Sequence, residues 1–173
     1  MMNFNGAARK RSPTAIAEAA TTIGVEAAAL AAVIQVEAAG SGFDAQGRPK
    51  MLFEPHRFYA NLTGLQRTRA VAAGLAYAKW KPGAYPKDSY PRINKAMAIN
   101  EEAALLSASW GLPQMMGENF RLCGYASVED MVEAFCASED AQITAMALFL
   151  KNRGIVTALK AKNWARVALL YNG

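Results

Sequence analysis

One stretch constrains this chain more than any other. Val25 to Val36 reads VEAAALAAVIQV, with Glu26 and Gln35 as its only polar residues, and Glu37 follows directly. A run of this length with apolar residues on nearly every side predicts a helix over 25–37 that lies centrally in a helical core. It stops abruptly at Ala38-Ala39-Gly40-Ser41-Gly42-Phe43, a turn rich in small residues. Glu37 therefore stands at the tail of an apolar helix. Burial against such a surface penalises the charged carboxylate, and so does the negative end of the helix dipole. A carboxyl held protonated near neutral pH can serve as a general acid, the group needed to break a glycosidic bond. A glutamate at a helix end is also commonly a solvated residue, so position alone leaves both readings open.

The remainder of the chain can supply a surrounding core. With 173 residues, 53% of them hydrophobic and many alanines, it fits one compact, mainly α domain. The net charge of +5 favours anionic partners, among which nucleic acid, membrane surface and bacterial cell wall all qualify. Its basic residues are scattered, and no basic recognition helix stands out, so specific nucleic-acid binding is not expected. The tight cluster Arg9-Lys10-Arg11 reads as part of a flexible, solvated N-terminal segment over 1–13, ahead of one domain over 14–173. Cys123 and Cys136 have neither disulfide-framework nor zinc spacing and read as two reduced, buried thiols. With His56 the single histidine, a histidine-based metal site is not expected, and neither is a cofactor. No apolar stretch reaches the roughly 18 residues of a membrane span, and the N-terminus lacks the apolar segment of a signal peptide. A monomer without membrane insertion is the expectation.

Local signals divide the chain into short helices. Thr14 can cap a helix to about Thr22, and Gly24 interrupts it. Residues 43–54, with a turn at Asp44-Ala45-Gln46-Gly47, suggest a small hairpin. A helical turn is expected over 57–61 and a helix from 65 or 68 to 79. Prolines 82, 86 and 91 mark an irregular loop. Arg92 to Ser107 reads as one helix, and Trp110-Gly111-Leu112-Pro113-Gln114 breaks it, with a short helix to about Cys123 following. Ser127 and Ser138 open two further helices, Gly154 stops the second, and helices over 155–161 and 163–171 close the chain.

Three further stretches carry candidate chemistry. Glu54, in Met51-Leu52-Phe53-Glu54-Pro55-His56-Arg57-Phe58, can face a helix end across a cleft. Paired carboxylates of this kind are common in glycoside hydrolysis, although an ion pair with Arg48 or Arg57 would account for Glu54 equally well. Trp110 and Gln114 combine a flat apolar face with a two-way amide, the combination that binds sugars, while a core role is the commoner fate of a single tryptophan. Tyr171, in Tyr171-Asn172-Gly173, can bring a phenol to a cleft or simply end a helix.

In this order, the stretches 36–43, 47–58, 109–117 and 171–173 resemble the N-acetylmuramidase catalytic domain of bacteriophage endolysins, within the lysozyme-like superfamily. The resemblance covers about residues 15–173. It implies a lysozyme-like helical domain with a small β-hairpin element, and cleavage of the β-1,4 bond between N-acetylmuramic acid and N-acetylglucosamine in peptidoglycan. Glu37 matches the family's catalytic glutamate and Glu54 its second acidic position. Ser41, Phe43, His56, Trp110, Gln114 and Tyr171 then fall to substrate binding. Ala38 stands where relatives often carry a small polar residue, and Pro55 where a basic one is frequent. The resemblance further implies peptidoglycan glycan strands as the partner, and retention in the host cytoplasm until a holin-dependent release to the wall. A lytic transglycosylase leaving 1,6-anhydro ends and a non-catalytic wall-binding module are the rival expectations.

Overall fold

The apolar run forms a helix, and the glycine before it sets its direction. Helix α1 (Ala15–Ile23) ends at Gly24, whose φ of 69° is left-handed and whose N–H bonds back to the carbonyls of Ala20 and Thr21. The chain reverses into α2 (Ala27–Glu37), and the two helices pack together. The computed structural model describes residues 2–37, 40–81, 83 and 85–172, with the side chains of Glu37 and Asn172 outside the description.

Among the described residues there are ten α-helices and one three-stranded antiparallel sheet. The sheet has the order β1 (Met51–Phe53), β2 (Ala108–Trp110), β3 (Met115–Met116), with Leu52 opposite Ser109 and Trp110 opposite Met115. The helices that follow α2 are α3 (Pro55–Asn61), α4 (Gly64–Ala72), α5 (Tyr90–Met97), α6 (Glu101–Leu106), α7 (Val128–Ala137), α8 (Glu139–Asn152), α9 (Val156–Lys160) and α10 (Trp164–Asn172). A 3-10 turn covers Gly117–Asn119. The mainly helical architecture with a small β element is thus the one expected.

Two cores divide the work. One joins α1, α2, α8 and α9 through Leu30, Ile34, Ile143, Met146, Leu150 and Leu159. The other packs the sheet against α3 and α5 to α7 through Phe53, Phe58, Ile93, Leu105, Trp110 and Phe135. Tyr171 touches both.

Helix α2 is less central than its composition implies. Leu30, Val33 and Ile34 are buried, but Ala27, Ala28 and Gln35 are exposed and Val36 is 79% exposed. Alanines made the run apolar all round without requiring burial all round.

Four other expectations need revision. The hairpin over 43–54 reduces to one bridge, Phe43 with Pro49, and β1 pairs instead with the Trp110 strand. The expected helix over 92–107 is two helices, because the Asn100 side chain accepts from the Ala103 N–H at 2.8 Å and starts α6 anew. Helix α4 stops at Ala72, well before Lys79. Residues 2–13, expected as a flexible segment, lie against the domain: the Arg9 N–H donates to Ala137 O at 3.0 Å and the Glu139 N–H to Arg9 O at 2.9 Å. Phe4 is 3% exposed, stacked on Trp110 and edge-on to Tyr90. One buried aromatic ring gives the segment the apolar contact that its basic cluster concealed.

The two serine caps form as expected. Ser127 Oγ accepts from the Asp130 N–H, and Ser138 Oγ from the Ala141 N–H.

Candidate active site

The turn that follows Glu37 is fixed by a residue almost a hundred positions away. Glu139, at the first turn of α8, is 5% exposed. Its Oε1 accepts from the Gly42 N–H at 2.7 Å and from Ser41 Oγ at 3.0 Å, and its Oε2 from the Arg11 N–H at 2.9 Å. Burial alone would raise the pKa of this carboxyl. The hydrogen bonds from Arg11, Gly42 and Ser41, with the Arg11 charge, outweigh burial and hold it below the ordinary glutamate range.

One turn further along α8, Gln142 is fully buried. Its Oε1 accepts from the Leu112 N–H at 2.6 Å and its Nε2 donates to Phe135 O at 2.9 Å. A β-carbon on Gly42 would come within 2.1 Å of Gln142 Oε1, and one on Gly111 within 2.7 Å of Gln142 Cδ. The 41–43 turn and the 111–114 turn are therefore brought side by side on one glutamine.

Between these turns and β1 lies a cleft of about 490 Å³, lined among others by Ser41, Asp44, Lys50, Leu52, Lys87 and Gln114. Gln114 is exposed and held in place, with Oε1 accepting from Ser109 Oγ at 3.1 Å and Nε2 donating to Gly111 O at 2.9 Å. Lys50, Leu52 and Glu54 alternate along one extended segment and so share a face. Glu54 comes two residues after Leu52, just beyond the end of β1. Its N–H bonds to Ser107 O at 2.9 Å, and its Oε2 lies 3.3 Å from His56 Nδ1. Of the two arginines considered for Glu54, Arg57 pairs directly with Glu118 and feels the Glu54 charge more weakly, and Arg48 pairs with Asp44 at 2.7 Å.

The structure therefore joins Ser41 and Gln114 in one cleft, while Glu54 and His56 lie together beyond the end of β1. Glu37 closes the helix that leads into the clamped turn, and its side chain lies outside the described residues. Three candidates are placed elsewhere. Trp110 is fully buried on the middle strand, its indole N–H donating to Leu105 O at 3.0 Å, so it presents no face to a sugar. Phe43 is 8% exposed and belongs to the floor of the turn. Tyr171 is half-buried, edge-on to Phe149, and lines a separate apolar groove of about 260 Å³ with Val36 and Trp164. Among the described residues, no group of three or more His, Cys, Asp or Glu side chains could hold a metal ion. Nor is any single helix among them long and apolar enough to cross a membrane.

A family model described as N-acetylmuramidase matches residues 26–173. The chain belongs to the N-acetylmuramidase family. Among solved structures, this muramidase-family chain is similar to a Burkholderia AP3 phage endolysin, at 35% sequence identity and a TM-score of 0.87. The match covers 95% of this chain and 64% of that endolysin, so the chain spans less than two thirds of its structural relative. No curated protein matches.

The family match takes in the helix ending at Glu37, both turns and most of both cores, but not α1 or Phe4. It also takes in the two residues that sequence reasoning missed. Neither was singled out in the sequence, since an acidic residue at a helix start commonly just suits the dipole. Their partners are distant in sequence, and no local pattern signals such a contact.

Proposed function

We propose that this chain is a peptidoglycan hydrolase of the N-acetylmuramidase type, cutting the β-1,4 bond between N-acetylmuramic acid and N-acetylglucosamine. The observation that carries the reading is the joining of family-matched stations in one place. The Ser41–Gly42 turn that follows α2 is clamped beside the Gly111–Gln114 turn, and the cleft these turns form with β1 lies on the strand that leads to Glu54. The name of the similar endolysin agrees with an activity on bacterial cell wall.

Glu37 serves as the general acid, giving its proton to the leaving glycosidic oxygen. Its backbone stands at the tail of α2, where negative charge is disfavoured. Glu54 stands at the head of α3, the opposite setting. It stabilises the positive charge that develops on the sugar ring, or activates the attacking water. Gln114 and Ser41 offer hydrogen bonds to sugar hydroxyl and acetamido groups, and the net charge of +5 favours residence near an anionic wall.

The test is digestion of purified peptidoglycan followed by mass spectrometry of the products. New reducing muramic acid ends are expected, and Glu37→Gln should abolish their release while the circular dichroism spectrum stays unchanged. Wild-type clearing by Glu37→Gln would refute the assignment. Products ending in 1,6-anhydro-muramic acid would replace hydrolysis by transglycosylation in the same site.

A further inference from the structure

Lys50 sits where the two clamped turns meet the sheet. Its N–H donates to Gly42 O at 2.8 Å, and its carbonyl accepts from the Gly111 N–H at 2.7 Å and from Gln114 Nε2 at 3.3 Å. The backbone of Lys50 is therefore held by both turns at once. Its side chain lines the cleft and is exposed. The ammonium reaches toward the turn that follows Glu37, since a β-carbon on Gly40 would lie 3.7 Å from Lys50 Nζ.

A second ammonium comes from the segment over 85–90. Lys87, Asp88, Ser89 and Tyr90 line the same cleft, and Lys87 is exposed. That segment is fixed against residues 48 and 49. Tyr90 Oη donates to Pro49 O at 2.6 Å, and the Arg48 guanidinium lies 3.9 Å from the centre of the Tyr90 ring and 3.6 Å from Asp88. Arg48 also pairs with Asp44 at 2.7 Å, so one arginine engages both Asp44 and Asp88. Among the described residues, Lys50 and Lys87 have no ion-pair partner. The cleft thus presents two ammonium groups without a counter-charge, one of them on a backbone fixed at three points.

The sugar rings of the glycan carry no charge. In peptidoglycan the negative groups are carboxylates borne on the lactyl side chain of N-acetylmuramic acid, either its own or those of the peptide attached to it. An ammonium donates strongly to a carboxylate, and in a cleft it is screened by salt less than on an open face. We infer that Lys50, with Lys87, forms a subsite for a carboxylate carried on the muramic acid side chain. The cleft then selects a muramic acid glycan over an uncharged polymer of N-acetylglucosamine. The inference rests on the hydrolase reading above, and the experiment separates the two.

KM and kcat are measured on three soluble substrates. These are uncrosslinked peptidoglycan strands, the same strands with their carboxylates converted to methylamides, and strands stripped of peptide by an amidase, which keep the lactyl carboxylate alone. The proteins are wild type, Lys50→Met, Lys87→Met, Lys50→Arg and Lys151→Met, the last removing an exposed positive charge at the far end of α8. Thermal melts confirm that each variant is folded.

On native strands Lys50→Met should raise KM about fivefold, the upper range for an exposed ion pair, with the smaller effect on kcat. Lys87→Met should raise it less, and Lys50→Arg should recover most of the loss. Wild type should lose at least as much on methylamidated strands, where Lys50→Met should cost nothing further. A Lys50→Met effect that persists on stripped strands assigns the lactyl carboxylate, and one that vanishes there assigns a peptide carboxylate; each supports the subsite. Equal KM for wild type and Lys50→Met, an equal penalty on native and methylamidated strands, or an equal loss in Lys151→Met would overturn the subsite and leave the hydrolase reading standing. A wild type that cleaves none of the three substrates would overturn both.

Discussion

Replacing Glu139 tests whether the clamp on the turn after Glu37 is as important as its geometry indicates. In Glu139→Ala, the Gly42 N–H loses its partner at a buried position, and the Arg11 N–H and the Ser41 hydroxyl lose theirs at partly buried ones. A buried donor left without an acceptor costs about 1–3 kcal/mol, and a partly buried one that water can reach less. The sum is about 3 kcal/mol. For a chain of this size that is a fall in Tm of about 6–12 °C. Glu139→Gln should cost less, about 1–2 kcal/mol, because one oxygen still serves Gly42 and Ser41 while the new amide N–H₂ faces the Arg11 N–H. The pH dependence has a defined sign. The folded-state pKa of Glu139 is lowered, so its carboxylate adds stability above the ordinary glutamate pKa, and that stability is lost as the pH falls through and below that range. Wild type should therefore lose more stability on acidification than Glu139→Gln does. Chemical denaturation at several pH values measures both effects. A Glu139→Ala variant within about 0.5 kcal/mol of wild type, the scatter expected of surface changes, or identical acid sensitivity in Glu139→Gln, would refute the clamp.

Two further outcomes are expected. Gly111→Ala would force a left-handed φ of 66° on a residue with a β-carbon and push that carbon to 2.7 Å from Gln142 Cδ and 3.0 Å from Phe135 Cδ2. The combined strain and overpacking should cost about 2–5 kcal/mol, and a denaturation midpoint unchanged from wild type would contradict the packing. Burial raises the Cys123 thiol to about 12 and, with help from Glu133, the Cys136 thiol to about 11. Both should resist an aromatic disulfide reagent at pH 8 in the folded protein and react promptly in denaturant. Rapid labelling of the native protein would show that one of them is accessible.

Local chemistry was legible in the sequence where one side chain acts on its own turn of helix. Ser127 and Ser138 were recognisable as caps because donor and acceptor lie three residues apart. The Asn100 cap was not, since it interrupts an apolar periodicity that continues on both sides and tertiary packing decides where the break falls. Long-range pairing was less visible still. The turn at 44–47 was correctly placed, with the Gly47 N–H bonded to Asp44 O, but β1 leaves the local hairpin for a strand supplied by the Trp110 stretch. That pairing buries Trp110 and removes it from the cleft. Adjacency to a glycine and a glutamine gave no indication of which face of a strand the indole would occupy.

The glycines of the two turns show why the candidate site could be located in the sequence and yet not explained by it. Gly40, Gly42 and Gly111 read as turn punctuation, and Gly111 does adopt a positive φ. Gly42 does not, so conformational freedom is not its reason. Both Gly42 and Gly111 are pressed against the same amide of Gln142, where any side chain would collide. Glu139 and Gln142 are three residues apart on α8 and therefore lie on one face of the helix. Glu139 holds the Ser41–Gly42 turn from one side, and Gln142 holds Leu112 from the other. The placement of both turns on this side of the cleft is thus set by one face of a helix that contributes no residue to the cleft lining. Changes on that face should misplace the two turns together, with no cleft residue altered.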